Sequence, residues 1–227
     1  MALLLNIDTA TETAQVSFAK DGIVLQALHN TAQKDHASFL QTAIQQLTKI
    51  AVITLNDVDA IAVTAGPGSY TGLRVGMSSA KGLCYALNKP LIAINTLEVL
   101  TTDAIQQSNH SNDTLFGAMI DARRMEVFTA LYNQDLTTAL APCAMVLDEN
   151  SFAQQLKQNK IVFFGSGAFK WQAMCKHPNA SFAVVSNLAN AMAALSNTYF
   201  KKQAFADLAY SEPFYLKEFQ DQVQSTK

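Results

Sequence analysis

The first thirty residues alternate between short apolar runs and polar turns, a pattern that predicts three successive strands. Residues 2–8 are mostly apolar, like a buried strand, and residues 13–20 alternate between apolar and polar side chains, as a half-buried strand does. Asp21-Gly22 is a strong hairpin signal, so residues 23–29 are expected to form the returning strand. We therefore expect three strands before the first helix.

Beyond residue 30 the pattern changes to helices separated by single strands. From Phe39 to Ile50 apolar residues recur every three or four positions, which predicts an amphipathic helix. Capping residues mark where helices begin, and Asn or Pro marks where they end. The predicted elements, in order, are a helix capped by Asp35, a strand over 60–65, a helix over 71–87 stopped by Asn88 and Pro90, a strand over 91–94, and a helix opened by a capping box of Asn95 and Glu98.

After a hydrophilic stretch at 108–113, the expected linker, the same order begins again. Three strands are followed by a helix, a strand and further helices, whereas a plain doubly wound fold alternates strand and helix from its start. The predicted elements are strands over 114–120, 125–132 and 137–146, a helix over 148–158, a strand over 161–165, a short helix, and a helix over 188–202. The pattern predicts an α/β protein of two similar βββαβα halves with mixed sheets, 1–110 and 111–227.

Composition limits the cellular compartment and the kinds of binding partner that we expect. The 227 residues carry a net charge of −2, which gives no global attraction to nucleic acid. Three widely spaced cysteines are typical of a reducing compartment, and no apolar run approaches the ~18 residues of a membrane span. We expect a cytoplasmic protein that does not enter a membrane.

A turn rich in glycine, Gly66-Pro67-Gly68, is the first candidate for chemistry, and we call it the glycine turn. Ser69 follows it and offers a hydroxyl to the amides of the next helix. Such a turn can hold a phosphate, yet the spacing fits neither the Walker loop nor the dinucleotide fingerprint. A second turn, Gly165-Ser166-Gly167, occupies a similar place in the second half.

The segment GPGSYTGLRVG resembles the GPGS(F/Y)TG(L/V)R(I/V)G signature of the TsaB (YeaZ) family, in the glycoprotease-like branch of the actin/sugar-kinase/Hsp70 superfamily. LLLNIDTATET, AKGL, NTLEVL, IDARRMEVF, GSGA and PFYLK extend the resemblance over most of the chain, specifically in the first half and more loosely in the second. PFYLK has lysine where the family usually has arginine. The resemblance implies ribonuclease-H-like halves, the order that the periodicity also predicts, and a C-terminal stretch of about 20 residues that packs back on the first half.

In this superfamily nucleotide lies between the halves, at hairpin turns shaped like Asp-x-Gly. The matching turn is Asp8-Thr9-Ala10, with alanine in place of glycine, and Asp8 either organises Mg²⁺ through water or simply pairs with local hydroxyls. The candidate nucleotide-turn residues are Asp8, Thr9, Gly66, Gly68, Ser69, Gly165 and Gly167. We expect no cofactor in the isolated chain, with ATP or ADP at an interface of the complex.

The catalytic sister family, TsaD, has two histidines four residues apart on one helix, where they share a metal ion. Thr96 and Leu100 stand at the matching positions here, and the four histidines of this chain show no metal-binding spacing. Ser69 and Ser166 adjoin glycines but neither forms a Gly-x-Ser-x-Gly elbow. We expect no metal and no catalytic residue.

Small residues recur every fourth position along the helix over 71–87, at Gly72, Gly76, Ala80 and Cys84. Cys84 is a candidate core residue. Such a strip allows close approach either by a partner or by the chain's own helix and sheet. The predicted partner surface lies on this helix and on the helix over 35–50, and it comprises Phe39, Ala43, Leu47, Gly72, Leu73, Gly76, Met77 and Ala80.

The resemblance implies a non-catalytic subunit needed for threonylcarbamoylation of the tRNA adenosine next to the anticodon. Its implied partners are the metal-containing transferase TsaD and the ATPase TsaE, with tRNA reached indirectly through the complex and a homodimer formed when the chain is alone. The alternatives are a stand-alone ATPase or small-molecule kinase of the same superfamily and, with least support, a glycoprotease-like peptidase.

Overall fold

The computed structural model describes residues 1–30, 36–107, 111 and 113–217. Its first sheet has the order β3-β2-β1-β4-β5, antiparallel among the first three strands and parallel from β1 to β5. The elements are β1 (Leu3–Asp8), β2 (Ala14–Lys20), β3 (Ile23–Asn30), α1 (His36–Ala51), a 3-10 turn (Leu55–Asp57), β4 (Ala60–Gly66), α2 (Tyr70–Leu87), β5 (Leu91–Asn95) and α3 (Thr96–Gln106).

The second sheet repeats this arrangement in the order β8-β7-β6-β9-β10. Its elements are β6 (Thr114–Asp121), β7 (Glu126–Tyr132), β8 (Thr138–Val146), α4 (Ala153–Gln158), β9 (Lys160–Phe164), α5 (Ala168–Gln172), β10 (Ala180–Phe182) and α6 (Leu188–Lys201). The predicted duplicated fold with mixed sheets is therefore confirmed. The repeat is longer than predicted, because β10 gives the second half the extra strand that β5 gives the first.

Two predictions from the sequence, the boundary between the halves and the cap of α1, concern residues that the structure does not describe. The boundary between halves at residue 110 adjoins residues 108–110 and 112, which lie outside the described residues. Asp35, the expected cap of α1, also lies outside them. The stop of α2 is confirmed: Asn88 adopts a left-handed φ of 51°, and its N–H points to the carbonyls of Cys84 and Tyr85.

The helix predicted over 148–158 begins only at Ala153. The Asp148 carboxylate accepts hydrogen bonds from the Asn150 amide (2.9 Å) and the Ser151 hydroxyl (3.1 Å), so it closes a turn instead of capping a helix. Phe152 then adopts φ 60°, which interrupts any helical run. The prediction of a helix from Asp148 is therefore wrong.

Each sheet is covered on one face by helices of its own half. Leu5, Ile7 and Phe18 of the first sheet pack against α1 and α2 in one buried core. Phe163 of the second sheet packs against Trp171 of α5 in another. Among the described residues, no helix combines the length and the hydrophobicity required to cross a membrane.

The other face of each sheet is covered by the last helix of the opposite half. Met192 and Leu195 of α6 pack on Leu4 of β1 and its neighbours in the first sheet. Leu97 and Leu100 of α3 pack on the second sheet. The two helices also contact each other, so they form a shared layer between the sheets.

Residues 206–217, which we call the strap, run back along the first half. The Ala206 amide donates to the Leu91 carbonyl (2.8 Å) and makes an isolated bridge on the edge of β5. Further along, the Phe214 amide donates to the Ala65 carbonyl (2.6 Å) at the end of β4. The strap thus follows the edge of the first sheet to the glycine turn.

Candidate functional site

Asp8 ends β1, and its carboxyl is buried, with 1% of the residue exposed. Its Oδ1 accepts from the Ala10 amide (3.1 Å) and from the Thr64 hydroxyl (2.9 Å), whereas Oδ2 has no partner among the described residues. Burial raises the pKa of Asp8, because the desolvation of the carboxylate outweighs these hydrogen bonds and the charge of His36. Pairing with a local hydroxyl is one of the two roles that the sequence left open.

The glycine turn packs directly on the turn that follows Asp8. The Ser69 amide donates to the Ala10 carbonyl (2.7 Å), and a Cβ on Gly68 would collide with that carbonyl. Gly68 is therefore needed for close contact between two backbone segments. The Ser69 hydroxyl accepts from the Gly72 amide (3.2 Å) as the N-cap of α2, so the predicted cap is confirmed.

The strap occupies the other side of the glycine turn. Gly66 has φ 116°, a conformation that side chains rarely adopt, and a Cβ there would collide with the Phe214 carbonyl. The backbone of Ala10 therefore lies against Gly68 while the backbone of Phe214 lies against Gly66. The turn is therefore filled by backbone of its own chain at both of its glycines.

The strip of small residues on α2 faces inward. The Thr9 hydroxyl donates to the Gly72 carbonyl (2.7 Å), and a Cβ on Gly76 would collide with the same hydroxyl. Gly72 and Gly76 thus let α2 approach the end of β1 closely. The expectation that these two glycines and Ala80 face a partner is wrong, because the strip packs inside the chain.

The remaining residues of the predicted partner surface are also internal. Four of the eight lie in the core between α1, α2 and the sheet, and Phe39 is partly buried against that core. Leu73 of α2 is buried as well, at 1% exposure. The four core residues are Ala43, Leu47, Met77 and Ala80. Cys84 is buried there too, as predicted, and burial raises the pKa of its thiol to about 11. An apolar pattern shows which side chains are buried, but the same pattern serves an internal core and an interface.

The second glycine turn repeats the first at the end of β9. Gly165 has φ 93° and lies against the Met119 carbonyl, which also accepts from the Gly167 amide (3.1 Å). The Ser166 hydroxyl accepts from the Asp121 amide (3.0 Å). Within the part of the chain that the structure describes, no hydrogen bond or ion pair joins the two glycine turns.

Asp121 at the end of β6 is the counterpart of Asp8, in a different environment. Its carboxylate forms an ion pair with Lys170 (2.8 Å) and accepts from the Arg123 amide (2.6 Å). Burial opposes its ionisation, but these two partners outweigh burial and lower the pKa of Asp121. The two halves therefore carry one carboxyl with a raised pKa and one with a lowered pKa.

The positions that match the metal ligands of the sister family lie on α3. Thr96 is 1% exposed and Leu100 is 4% exposed, and Leu100 belongs to the core that covers the second sheet. Asn95 caps α3 through the Leu97 amide (2.8 Å), but Glu98 accepts from the Tyr199 hydroxyl (2.7 Å) instead of closing the predicted capping box. Among the described residues, no three His, Cys, Asp or Glu side chains cluster as a metal requires.

A cavity of about 450 Å³ opens beside the ends of β2 and β3 and the start of α6. Thr13, Gln15 and His29 line one wall, and residues 185–190 line the other. None of the predicted nucleotide-turn residues lines this cavity. The glycine turns and the cavity are therefore separate features.

Sequence reasoning missed the residues that complete the glycine turn. Phe214 and Tyr215 of the strap contact the turn and α2, and Lys81 of α2 holds the strap through the carbonyls of Ala209 (3.1 Å) and Ser211 (2.9 Å). The one signal in the sequence was the PFYLK segment. A stretch without periodicity gives no indication of which element it will contact.

Comparison with known proteins is consistent with this geometry. A family model described as TsaD, tRNA N6-adenosine threonylcarbamoyltransferase, matches residues 19–225. The Escherichia coli (strain K12) tRNA threonylcarbamoyladenosine biosynthesis protein TsaB is 34% identical over 132 residues, which are 58% of this chain and 55% of that protein. The chain thus spans about half the length of the curated relatives that it matches.

Solved structures agree on the fold. A Pseudomonas aeruginosa protein with similarity to peptidase YeaZ superposes with a TM-score of 0.79 at 24% identity, covering 96% of this chain and all of that one. A polyphosphate/ATP-glucomannokinase from Arthrobacter sp. strain KM superposes with a TM-score of 0.50 at 9% identity, covering 88% of this chain and all of that one. These likenesses show an actin-like fold. The family model and the curated relatives together show that the chain belongs to the TsaD family of threonylcarbamoyladenosine proteins, on its TsaB (YeaZ) branch.

Proposed function

We propose that this chain is a non-catalytic subunit of the machinery that attaches threonylcarbamoyl to a tRNA adenosine. The observation that carries the proposal is that Thr96 and Leu100 of this chain occupy the positions at which the catalytic sister family, TsaD, has its metal-binding histidines. Leucine offers no ligand atom and threonine a poor one, and both side chains are buried against neighbouring elements. The fold is kept while the metal-binding chemistry of the sister family is not.

The proposed partners are TsaD and TsaE, with a homodimer when the chain is alone and tRNA bound through the complex. No nucleotide is assigned to the isolated chain, and ATP or ADP is assigned to an interface of the complex. The filled glycine turn supports this division, since the Ser69 amide is already bonded to Ala10 and the backbone of Phe214 lies against Gly66. The same contacts argue against a stand-alone kinase.

The outward face of the C-terminal half of α2 is the surface we propose for the partner. A Cβ placed on Gly82 would meet no atom within 4 Å, although glycine in an exposed helix costs ~1 kcal/mol against alanine. Ser78 and Ala86 are small and exposed on this half of the helix, and Tyr85 beside them is 83% exposed. A second helix can approach this face closely and bury the tyrosine ring, and a specific interface buries about 1,200–2,000 Å² in total.

The test is Gly82→Leu, compared with Gln154→Leu, which adds the same side chain to an exposed position of α4. Light scattering measures the homodimer, a pull-down measures binding to TsaD, and transfer of threonylcarbamoyl to tRNA measures activity. We expect the parent chain to transfer nothing alone and to activate TsaD. Gly82→Leu is expected to lose both associations and the activation, while Gln154→Leu matches the parent.

Two outcomes would overturn the proposal. One tightly bound transition metal per chain, or transfer by the chain without TsaD, would show that it is catalytic. A well-folded Gly82→Leu variant that dimerises and activates TsaD like the parent would place the interface elsewhere.

A further inference from the structure

An aromatic cluster with an arginine lies where the strap crosses the start of α2. The rings of Tyr70 and Tyr215 lie 5.2 Å apart between centroids, inclined by 37°. The Arg74 guanidinium lies 4.1 Å above the Tyr70 ring, and its Nε donates to the Tyr215 hydroxyl (3.1 Å). Tyr215 is 37% exposed, so one edge of this aromatic cluster faces solvent together with a fixed positive charge.

A pair of arginines forms the exposed tip of the β6–β7 hairpin, and we call it the arginine tip. Arg123 and Arg124 adopt φ values of 68° and 48°, both in the left-handed region. That region favours glycine and asparagine, and other residues there carry a conformational cost. Both side chains are exposed, so packing does not explain the choice of arginine. The chain keeps two guanidinium groups at positions where smaller residues would fit the backbone better.

The strap connects the aromatic cluster to the arginine tip. Lys217 forms an ion pair with Glu126 (2.6 Å), whose amide donates to the Arg123 carbonyl (3.1 Å). Tyr215 is only two residues from Lys217, a span of at most about 7 Å of chain. The two groups therefore lie along one surface that crosses from the first half to the second.

Two carboxylates on this surface are neutralised by lysines, and one further carboxylate, Glu212 of the strap, acts on Arg74. Asp121 is paired with Lys170 and Glu126 with Lys217. Among the described residues, none of the three arginines lies within ion-pair distance of a carboxylate. The hydrogen bond that Arg74 donates to the Tyr215 hydroxyl raises the pKa of Arg74, with a smaller contribution from Glu212, so its charge is permanent.

We propose that the aromatic cluster and the arginine tip form a direct RNA contact, in which the guanidinium groups bind phosphates and the tyrosine rings stack on an unpaired base. Single-stranded RNA is recognised by aromatic stacking combined with arginine, and a merely acidic partner would use the charges without the rings. The inference rests on the proposed function, and it adds a tRNA contact made by this chain itself. Because the net charge is −2, the contact is local and adds to binding by other subunits.

The first test replaces the arginine tip by residues that suit its backbone, Arg123→Asn with Arg124→Gly. Fluorescence anisotropy with a labelled anticodon stem-loop RNA measures affinity for the full chain, alone and with TsaD, over a series of salt concentrations. We expect weaker binding and a salt slope smaller by about 0.7–0.9 for each lost phosphate contact. Thermal stability is expected to be equal or higher, which separates a binding role from a structural one. Lys201→Ala with Lys202→Ala removes the same charge from the end of α6 and is expected to match the parent.

The second test concerns stacking. Tyr215→Ala is expected to weaken RNA binding about 5- to 150-fold, the range for loss of one stacked base, while Tyr215→Phe retains most of it. Tyr210→Ala, an exposed tyrosine of the same strap, is the control. Parent-like affinity and salt slope in the arginine-tip variant, or parent-like affinity in Tyr215→Ala, would overturn the proposal.

Competition separates the remaining alternatives. If polyglutamate displaces the RNA as well as unlabelled RNA of equal charge does, the surface binds acidic protein and the RNA assignment is wrong. If the chain fails to bind TsaD yet its RNA binding depends on these residues, the proposed function fails and the RNA contact stands. If TsaD binding is intact and RNA affinity does not depend on these residues, only the RNA contact fails.

Discussion

Asp8 is the one carboxyl at the end of β1, and its raised pKa gives a pH dependence with a definite sign. The folded state holds the proton more tightly than the unfolded chain, whose carboxyl has its ordinary pKa of 3.8. The free energy of unfolding therefore falls as pH rises from about 4 to the folded pKa, and then levels off. Asp8→Asn removes this loss, so we expect its melting temperature relative to the parent to increase with pH over that window.

The control for Asp8 is Asp57→Asn, where the sign is opposite. Hydrogen bonds from Thr54 lower the pKa of Asp57, so its contribution is present above pH 3.8 and is lost as pH falls through the folded value. Thermal unfolding from pH 3 to 8 measures both variants. A pH-independent difference between Asp8→Asn and the parent would show that the carboxyl is not buried as described.

Two glycines of α2 are expected to respond oppositely to the same substitution. Gly76→Leu places a side chain against the Thr9 hydroxyl and Val63, and such overpacking costs about 1–3 kcal/mol or more. At Gly82 the added Cβ meets no atom within 4 Å, and the substitution gains helix propensity of about 1 kcal/mol. Urea denaturation of the monomer is expected to show a lower midpoint for Gly76→Leu and a midpoint at or above the parent's for Gly82→Leu. Equal midpoints for the two variants would contradict the inward orientation of the strip.

At the scale of elements, Lys81 is one of the side chains of α2 that hold the strap. Lys81→Met removes its hydrogen bonds to the carbonyls of Ala209 and Ser211 but keeps an apolar stem on the helix. We expect chymotrypsin to cleave at Tyr210, which is 85% exposed, several-fold faster than in the parent. The global unfolding midpoint is expected to change little. Lys49→Met on α1 serves as the control. Mass spectrometry of the fragments locates the cleaved bond. Unchanged cleavage of Lys81→Met would mean that other contacts hold the strap.

Most elements could be predicted from periodicity, because the alternation of apolar residues reports directly on strand and helix faces. The failures have local causes. Phe152 adopts a left-handed conformation that no sequence pattern indicates, and β10 has only three residues, too few to show alternation. The glycine turns and Asp8 could be found from sequence, but Phe214, which fills the first turn, could not, since the strap has no periodicity of its own.

At the scale of the whole molecule, the duplication was predictable because both halves show the same order of elements. The placement of α3 and α6 was not. Periodicity indicates that Leu97 and Leu100 share an apolar face, as do Met192 and Leu195, but it does not tell which sheet each face covers. For the same reason, the apolar face of α1 and α2 suggested a partner where the structure has a core.

Because α6 covers the first sheet and α3 covers the second, the order of synthesis decides which apolar surface is exposed while the chain is still on the ribosome. The first sheet is synthesised early, yet the helix that covers one of its faces ends only at Lys201. At common rates of translation, the interval between β5 and the end of α6 is on the order of ten seconds. During that time Leu4, Ile92 and Ile94 lack the cover that α6 gives them and leave an apolar surface on the nascent chain. We expect a chaperone that binds the nascent chain to bind there.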